Sequence, residues 1–288
     1  MMTPGIHILS ADQYHADPAP EPSLSSSIAQ ILLEKSPLHA WLSHPRLNRQ
    51  YQRTPDSRFD LGSAAHAMLL ERRTDNIVIV EANDWRTKAA KEQRDLATAA
   101  GKYAVLARQY REVESMVLTA RTYIDTTELS GILEYGAAEQ SVLWQDGDVW
   151  CRARPDMLSK TARVCLDYKT TEDASPAMFA RQISRLGYDL QAEWYLRGLK
   201  AVDSAAWQFV FLVQEIYEPY ACSLISLSNA YRAVGQAKVT RALNLWVKCL
   251  SEDRWPGYES RILYAEPRPW DLAMAEELEA DGTEDDEP

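Results

Sequence analysis

The feature of this 288-residue sequence that most constrains its fold is a group of charged residues at the ends of two short, β-prone segments. Asp156 follows the segment 148–154, and Asp167 and Lys169 lie in the segment 162–169. Residues two apart on a strand point to the same face, so Asp167 and Lys169 share a face. A turn between the segments would bring Asp156 back beside Asp167. The pattern therefore predicts two carboxylates and one ammonium at one point of a sheet.

This group of charges indicates metal-assisted hydrolysis of a phosphodiester. Carboxylates are hard oxygen ligands that suit Mg²⁺ or Mn²⁺, and a lysine beside a metal can orient or deprotonate an attacking water. The alternative is structural: Asp156 caps a turn, and Asp167 pairs with Lys169 on an exposed strand. Such spacings also arise by chance in chains of this size.

Two helical segments carry polar residues that fit such a site. Gln191 and Tyr195 are four apart in the helical pattern 177–200 and so lie on one face, where both could hydrogen-bond a phosphate or a metal-bound water. Gly62 and His66 are four apart among small and apolar residues, which permit close backbone approach. The alternatives are a surface glutamine beside a half-buried tyrosine, and a histidine packed in the core.

Together these motifs resemble a known family. In this order, Gly62-x-x-x-His66, Asp156, Asp167-x-Lys169 and Gln191-x-x-x-Tyr195 are similar to the motif set of the RecB-type branch of the PD-(D/E)xK nuclease superfamily. The serines of 23–27, the segment 36–41, and the basic stretch 85–94 with Gly101-Lys102 resemble the narrower RecE-like (exonuclease VIII) phage and prophage exonucleases. The resemblance covers residues 6–265.

The resemblance implies a fold and a domain organisation. It predicts an α/β fold with an αβββαβ core around a central mixed sheet at 131–265. An N-terminal helical section at 1–130 would deliver His66 and a basic helix. The acidic segment 266–288 is predicted to be a disordered tail.

The resemblance also implies an activity. It predicts a Mg²⁺-dependent 5′→3′ exonuclease that degrades linear double-stranded DNA and leaves 3′ single strands for recombination, with Mn²⁺ able to substitute. One ion would bind Asp156, Asp167 and the backbone carbonyl of Tyr168; His66 and the two aspartates would bind a second. Lys169 would orient the attacking water. The positioning residues for the scissile phosphate or for Lys169 would be Gln191 and Tyr195, with Glu139 as a weaker candidate.

The expected partners follow from the same resemblance. They are double-stranded DNA ends, further copies of the chain in a homo-oligomeric ring (a tetramer, or else a trimer), and a single-strand-annealing recombinase. Two other functions stay open: another nuclease of the superfamily, acting on single strands or on branched structures, and a non-catalytic DNA-binding module. Retention of His66, Asp156, Asp167 and Lys169 argues against the module.

The net charge of −11 argues against nucleic-acid binding, but its distribution weakens that argument. Nine of the 42 acidic residues lie in 271–288, which leaves the rest of the chain at −2. A near-neutral body permits a local basic face. The candidate DNA-binding residues are Arg86, Lys88, Lys91 and Arg94 on one predicted helix; the alternative is an ordinary solvated helix face.

Composition and periodicity supply the remaining expectations. No apolar run approaches the length of a membrane span, no signal peptide is evident, and the four cysteines form no metal-binding pattern, so a reducing cytoplasmic setting in a bacterial host is expected. Periodicity predicts helices at 26–35, 37–43, 59–72, 86–100, 103–126, 177–200 and 228–250, and strands at 138–145, 148–155, 162–169, 205–215 and 219–227.

Overall fold

The computed structural model describes residues 2–52, 61–72, 74–75, 77–100, 102–267 and 269–281. The strands are β1 (Gly5–His7), β2 (Leu24–Ser25), β3 (Ile77–Val80), β4 (Tyr103–Leu106), β5 (Ala137–Ala138), β6 (Ser141–Asp146), β7 (Val149–Ala153), β8 (Met157–Ser159), β9 (Val164–Thr171), β10 (Gln208–Glu215) and β11 (Cys222–Ile225). The helices are α1 (Ala11–His15), α2 (Ser26–Glu34), α3 (Pro37–Leu42), α4 (Leu61–His66), α5 (Lys88–Ala99), α6 (Ala107–Asp125), α7 (Ile132–Tyr135), α8 (Pro176–Ile183), α9 (Tyr188–Val202), α10 (Asn229–Glu252) and α11 (Pro269–Asp281); a π-helical turn, Ala67–Glu71, continues α4.

The described strands form three sheets, and the predicted mixed α/β class is confirmed. One sheet has the order β1-β6-β7-β2, a second has the order β11-β10-β9-β8-β5, and β3 pairs with β4 alone. The chain divides into two compact units, Met1–Pro256 and Gly257–Pro288. All three sheets belong to the first unit. None of the helices in the described part of the chain is both long and apolar enough to cross a membrane.

The five-stranded sheet is buried on both faces, as parallel pairs require. Its strand β9 pairs in parallel with β10, so that Asp167 is opposite Phe211. This confirms the parallel pairing expected from a helical crossover. Alternate residues of the strands point to opposite faces of the sheet. On one face, Cys165 and Phe211 belong to the apolar cluster that contains α9 residues. On the other face, Leu166 and Tyr168 belong to the cluster that contains α4 and α6 residues.

The chain changes sheets at the residues that carry the first carboxylate. Strand β7 ends at Ala153 in the four-stranded sheet, and β8 begins at Met157 in the five-stranded sheet. Met157 pairs with Leu166 in the antiparallel β8–β9 hairpin, which brings Asp156 next to Asp167 as predicted. The strands predicted at 138–145, 148–155 and 162–169 are therefore divided between two sheets, because the chain changes sheets at Pro155-Asp156.

Several other elements differ from expectation. Residues 103–106 are a strand rather than the start of a helix, because they pair in parallel with β3. The helix expected at 177–200 is two helices, and Gly187 in the left-handed conformation (φ 69°) starts the second. Strand β2, which was not predicted, joins β1 in the sheet of β6 and β7, so the section 1–130 contains strands as well as helices.

The C-terminal unit, residues 257–288, also differs from expectation. The segment predicted to be disordered contains the helix Pro269–Asp281 instead. Residues 282–288, which carry four of its acids, lie outside the described residues.

A buried polar network ties the N-terminal segment to the four-stranded sheet. Asp17 accepts hydrogen bonds from the Ser23 hydroxyl (2.5 Å) and backbone N–H (2.8 Å), and its Oδ1 lies 3.2 Å from Arg152. His44 Nε2 lies 3.0 Å from the Ser23 carbonyl oxygen. His44 Nδ1 accepts from two backbone N–H groups, at 3.2 and 3.3 Å. Only a neutral imidazole with its proton on Nε2 satisfies these contacts.

We expect His44 to make folding stability fall as the solution is acidified. Burial, with the charge of Arg152, lowers the pKa of His44 from 6.5 to about 4. The unfolded chain therefore takes up the proton first, and stability drops once the pH passes below about 6.5. The loss should reach about 2 kcal/mol by pH 5. Urea unfolding gives the free energy of unfolding of the wild type and of His44→Gln at pH 7 and at pH 5. We expect the gap between the two proteins to be smaller at pH 5 than at pH 7. A gap that stays constant between the two pH values would contradict the assignment.

Candidate active site

Two of the site carboxylates are placed by a short strand pair. Strand β5 pairs antiparallel with β8, with Ala138 opposite Met157, so Glu139 and Asp156 are adjacent just beyond the pair. The Glu139 N–H donates to the Asp156 carbonyl oxygen at 3.0 Å. Glu139 has a positive φ of 55°, a conformation that costs energy for a side chain of this kind and is often found at functional sites. The sequence identified Glu139 only as a weaker candidate, at the start of a strand rather than just beyond one.

His66 completes a three-residue cluster at the end of α4. Its Nε2 lies 3.3 Å from Asp156 Oδ2 and 3.6 Å from Glu139 Oε1. Ala64 and Ala65 of the same helix pack in the apolar cluster that contains Tyr168 of β9. The small residues of α4 therefore allow the helix to pack against the sheet and present His66 to the carboxylates. Candidate ligand atoms of His66, Glu139 and Asp156 all lie within 4.8 Å of one another.

This cluster, which we call the His66 triad, fits a divalent metal ion. Neighbouring ligand atoms around an octahedral ion with bonds of 2.0–2.1 Å lie about 3 Å apart, and the distances from His66 to the carboxylates are only slightly longer. Oxygen-rich ligand sets with one imidazole suit Mn²⁺ and Mg²⁺. Asp156 Oδ2 also accepts the Tyr168 N–H at 2.8 Å, a contact that orients the carboxylate.

The two carboxylates of the triad attract positive charge. Burial opposes protonation of His66, but the carboxylates, chiefly Asp156, outweigh it and raise the pKa of His66 to about 9. Burial raises the pKa of Glu139 to about 7, against the pull of Arg154. In the metal-free protein the imidazolium therefore supplies the positive charge that the carboxylates attract. Binding of a metal must release this proton, so metal affinity should rise with pH.

Asp167 lies beside the triad and makes a different set of contacts. Its Oδ2 is 2.6 Å from Lys169 Nζ, and its Oδ1 accepts from the Gln191 amide at 2.8 Å. Oδ2 is buried and has no hydrogen bond of good geometry to any described residue, so it keeps a lone pair for a further ligand. Burial, opposed by Lys169, raises the pKa of Asp167 to about 6. In this arrangement Asp167 is paired with Lys169, and its predicted role as a metal ligand stays a prediction.

Lys169 is held as a cation between a carboxylate and an aromatic ring. Its Nζ lies 4.9 Å from the centroid of the Tyr188 ring, close enough for a cation–π contact. Burial disfavours the ammonium form, but Asp167 and Asp156 outweigh it and raise the pKa of Lys169. The side chain of Lys169 is therefore held in its charged form.

Helix α9 brings in the two further residues predicted for the site. Gln191 donates to Asp167 and also lies within 3.3 Å of the Tyr195 hydroxyl. Tyr195 is buried and packs edge-on against Phe209. The two residues thus share one face, as their spacing predicted, and the structure places them beside Asp167.

A cleft of about 370 Å³ opens over these groups. Residues of α1, α2 and the α8–α9 connection line it together with the triad. The cleft is lined by Tyr14, His15, Ser26, Ser27, Gln30, His66, Glu139, Arg154, Asp156, Leu186, Gly187, Tyr188, Gln191 and Tyr195.

Arg154 is a cleft residue to which the sequence assigned no role. Its Nε lies 2.7 Å from Glu139 Oε2, and its guanidinium stands 5.9 Å from the Tyr14 ring centroid. It holds the Glu139 carboxylate and carries positive charge into the cleft. Its position immediately before Pro155-Asp156 was the one sequence feature that pointed to the site. Its contact with Glu139 could not be predicted, because Glu139 is distant in sequence.

The predicted DNA-binding helix stands apart from the cleft lining. Helix α5 packs its alanines on the β3–β4 pair, and Arg86 precedes its first residue. Acidic neighbours lie close to three of the four bases: Asp84 is 3.7 Å from Arg86, Glu92 is 3.7 Å from Lys88, and Asp95 is 3.4 Å from Arg94. Lys91 is the fourth base. The helix is therefore less basic than the bases alone suggested, and its role in binding DNA stays a prediction.

Replacing His66 by glutamine is expected to weaken metal binding more than folding. The imidazole would be lost from a three-residue ligand set, so Mn²⁺ affinity should fall by at least about ten-fold, measured by calorimetric titration. The control is His7→Gln, a change at a half-buried histidine of β1 that does not line the cleft. A sharply lower melting temperature with unchanged Mn²⁺ affinity would show instead that His66 is a core residue.

A family model matches most of this chain. Residues 27–266 match the family described as "PDDEXK-like domain of unknown function (DUF3799)". Comparison with curated protein sequences gives no match.

Among solved structures, the fold is similar to that of a protein from Eubacterium rectale described as a "Putative exonuclease". The TM-score is 0.55 at 11% identity, over 92% of this chain and 98% of the other. Weaker similarities connect the chain to an alkaline exonuclease from Laribacter hongkongensis (TM-score 0.28, 14% identity, 68% and 92% covered) and to a phage-related exonuclease from Haemophilus somnus 129PT (TM-score 0.29, 14% identity, 72% and 100% covered).

Proposed function

The chain belongs to the PDDEXK-like family DUF3799, and from this premise we propose that it is a metal-dependent exonuclease of the RecE type that degrades linear double-stranded DNA from its 5′ ends. One observation carries the proposal: the His66 triad lines a cleft, and the Asp167–Lys169 pair adjoins that cleft through its contacts with the lining residues Gln191 and Tyr188. Metal ligands beside a fixed ammonium are what hydrolysis of a phosphodiester requires.

The residues divide the chemistry between them. His66, Glu139 and Asp156 would hold the ion, and Asp167 would contribute to a second one. A bound divalent cation supplies Lewis-acid polarisation of the phosphate and offsets its charge. The Lys169 ammonium adds a preorganised charge near the reacting phosphate, and Gln191 keeps Asp167 oriented toward it.

The part of the cleft lining that α2 supplies suits a nucleic-acid backbone. Ser26 and Ser27 open helix α2 and line the cleft, while Ser25 caps the helix by accepting from the Ile28 N–H. The first turn of a helix offers N–H groups and a favourable dipole to phosphate. A strand could therefore pass between these hydroxyls and the metal ligands.

The size of the cleft favours an enzyme that acts on strand ends. A volume of about 370 Å³ lies near the lower limit of small-molecule sites, which fits the end of one strand better than an intact duplex. The alternative within the superfamily is a single-strand exonuclease, and it would use the same cleft.

A panel of DNA substrates tests the proposal. Linear duplexes labelled at either the 5′ or the 3′ end, a covalently closed circle, and a single strand would each be incubated with Mg²⁺, Mn²⁺, Ca²⁺ or a chelator. We expect release of label first from 5′ ends of the linear duplex, in Mg²⁺ or Mn²⁺ only. Ca²⁺ coordinates more loosely and should not support cleavage.

The other outcomes of this panel separate the alternatives. Faster cleavage of the single strand than of the linear duplex would indicate that single-stranded DNA is the substrate. Cleavage of the closed circle would indicate an endonuclease. Absence of cleavage of every substrate with both metals would overturn the nuclease assignment.

Ring assembly and an annealing partner stay predictions that rest on the resemblance. A body of net charge near −2 holds DNA weakly as a monomer, whereas a closed ring would convert dissociation into sliding. Light scattering at micromolar concentration should give a tetramer or trimer; a monomer that digests DNA distributively would refute the ring.

A further inference from the structure

We infer that Lys238, on the outer helix α10, is a positioning residue that holds helix α9 in place for Gln191 and Tyr188. The inference rests on the proposed nuclease function, which it extends to a residue outside the cleft. Lys238 does not line the cleft, and its effect would be transmitted through α9 alone.

Helices α9 and α10 approach most closely at a glycine. A Cβ added at Gly235 would overlap the backbone carbonyl oxygen of Asp189 and lie 2.9 Å from the Glu193 side chain. Gly235 therefore lets α10 sit directly on the first turns of α9. This contact sets the spacing of the two helices but leaves open sliding along their axes.

Two acidic residues of α9 meet bases of α10 on either side of that contact. Asp189 is fully buried, and Lys238 Nζ lies 2.9 Å and 2.7 Å from its two carboxylate oxygens. Glu193, 5% exposed, accepts from Arg232 Nε at 2.6 Å and from Gln236 Nε2 at 3.0 Å. Acids four residues apart on one helix are thus each matched by groups of the other.

Loss of the base that pairs with a buried carboxylate strongly destabilises the folded protein, because the carboxylate charge is then left uncompensated. The Asp189–Lys238 pair therefore restricts the axial register of α9 against α10, which the glycine contact does not. The same pair could instead contribute only to folding stability, and the experiment must separate the two roles.

The register matters because the cleft residues of α9 flank Asp189. Tyr188 precedes it, with its ring 4.9 Å from Lys169 Nζ. Gln191 follows it two residues later and donates to Asp167 at 2.8 Å. A shift of α9 would therefore move both groups away from Lys169 and Asp167, while His66, Glu139 and Asp156 lie on other elements and would not move.

The test compares Lys238→Met with Lys238→Arg and with the control Lys248→Met, a lysine exposed on the same helix. Each protein would be assayed for kcat and KM on linear duplex in Mn²⁺ and for Mn²⁺ affinity by calorimetry. We expect Lys238→Met to lower kcat by about ten-fold or more, because small misplacements of catalytic groups are costly. Mn²⁺ affinity should be unchanged, and Lys238→Arg, which keeps the charge, should recover part of the rate.

A double-mutant cycle provides the decisive readout. In a Gln191→Ala background, Lys238→Met should cause much less additional loss of kcat, because both changes remove the same contact to Asp167. Fully additive losses, a parallel fall in Mn²⁺ affinity, or a rate equal to that of Lys248→Met would overturn the inference. If Lys238→Met does not fold, the same comparisons apply to Lys238→Arg, for which a wild-type rate would overturn it. An inactive wild type would overturn the proposed function, and this inference with it.

Discussion

Replacing Asp156 by asparagine is expected to lower the rate of DNA cleavage by about 1,000-fold or more, the largest effect of any single change in the cleft. Asp156 is the carboxylate shared by the two halves of the site: its Oδ2 lies 3.3 Å from His66 and accepts the Tyr168 N–H. Loss of its charge removes a metal ligand and the main source of the raised pKa of His66.

Asparagine is chosen because its amide oxygen can still accept from Tyr168, so the fold should be retained. Single-turnover cleavage of linear duplex, together with Mn²⁺ titration, measures the effect. The control is Asp148→Asn, an exposed aspartate in the turn between β6 and β7. If Asp156→Asn cleaves at the wild-type rate, the active-site assignment is wrong.

Lys169→Met is expected to reduce the rate by about 100-fold or more while leaving metal affinity intact. Lys169 supplies positive charge without ligating the ion, so its loss removes stabilisation of the transition state. Its removal also leaves two acids, Asp167 and Asp156, without a compensating ammonium, which should favour a cation and tighten Mn²⁺ binding if anything.

Single-turnover rates and Mn²⁺ affinity measured on the same protein separate these effects. Lys169→Arg keeps the charge but not the shape of the ammonium, so it should be intermediate. If Lys169→Met binds Mn²⁺ more weakly and its cleavage rate falls only as much as its metal occupancy, Lys169 supports the metal site rather than the reaction.

Much of the arrangement followed from local sequence pattern. Asp167 and Lys169 are two apart on one strand, so their shared face could be predicted. Gln191 and Tyr195 are four apart on one helix, so their shared face could be predicted as well. The parallel pairing of β9 with β10 followed from the helical connection between them, because a helix of this length can return the chain to the end of the sheet at which β9 began.

The features that could not be predicted depend on contacts distant in sequence. Glu139 enters the triad through a strand pair only two residues long, β5 with β8, which has no periodicity to detect. Strand β4 runs into α6 with no Gly or Pro between them, so its four residues resembled a helix start. The break before α9 rests on Gly187, and an isolated glycine is also tolerated inside a helix.

The central claim is that His66, Glu139 and Asp156 form the metal centre of a DNA-hydrolysing cleft. Anomalous diffraction at the manganese absorption edge, from crystals soaked in Mn²⁺, tests it most directly. We predict a peak within bonding distance of His66 Nε2 and of the Glu139 and Asp156 carboxylates, and no such peak in Asp156→Asn crystals. A peak elsewhere on the molecule, with none in the cleft at saturating Mn²⁺, would contradict the account.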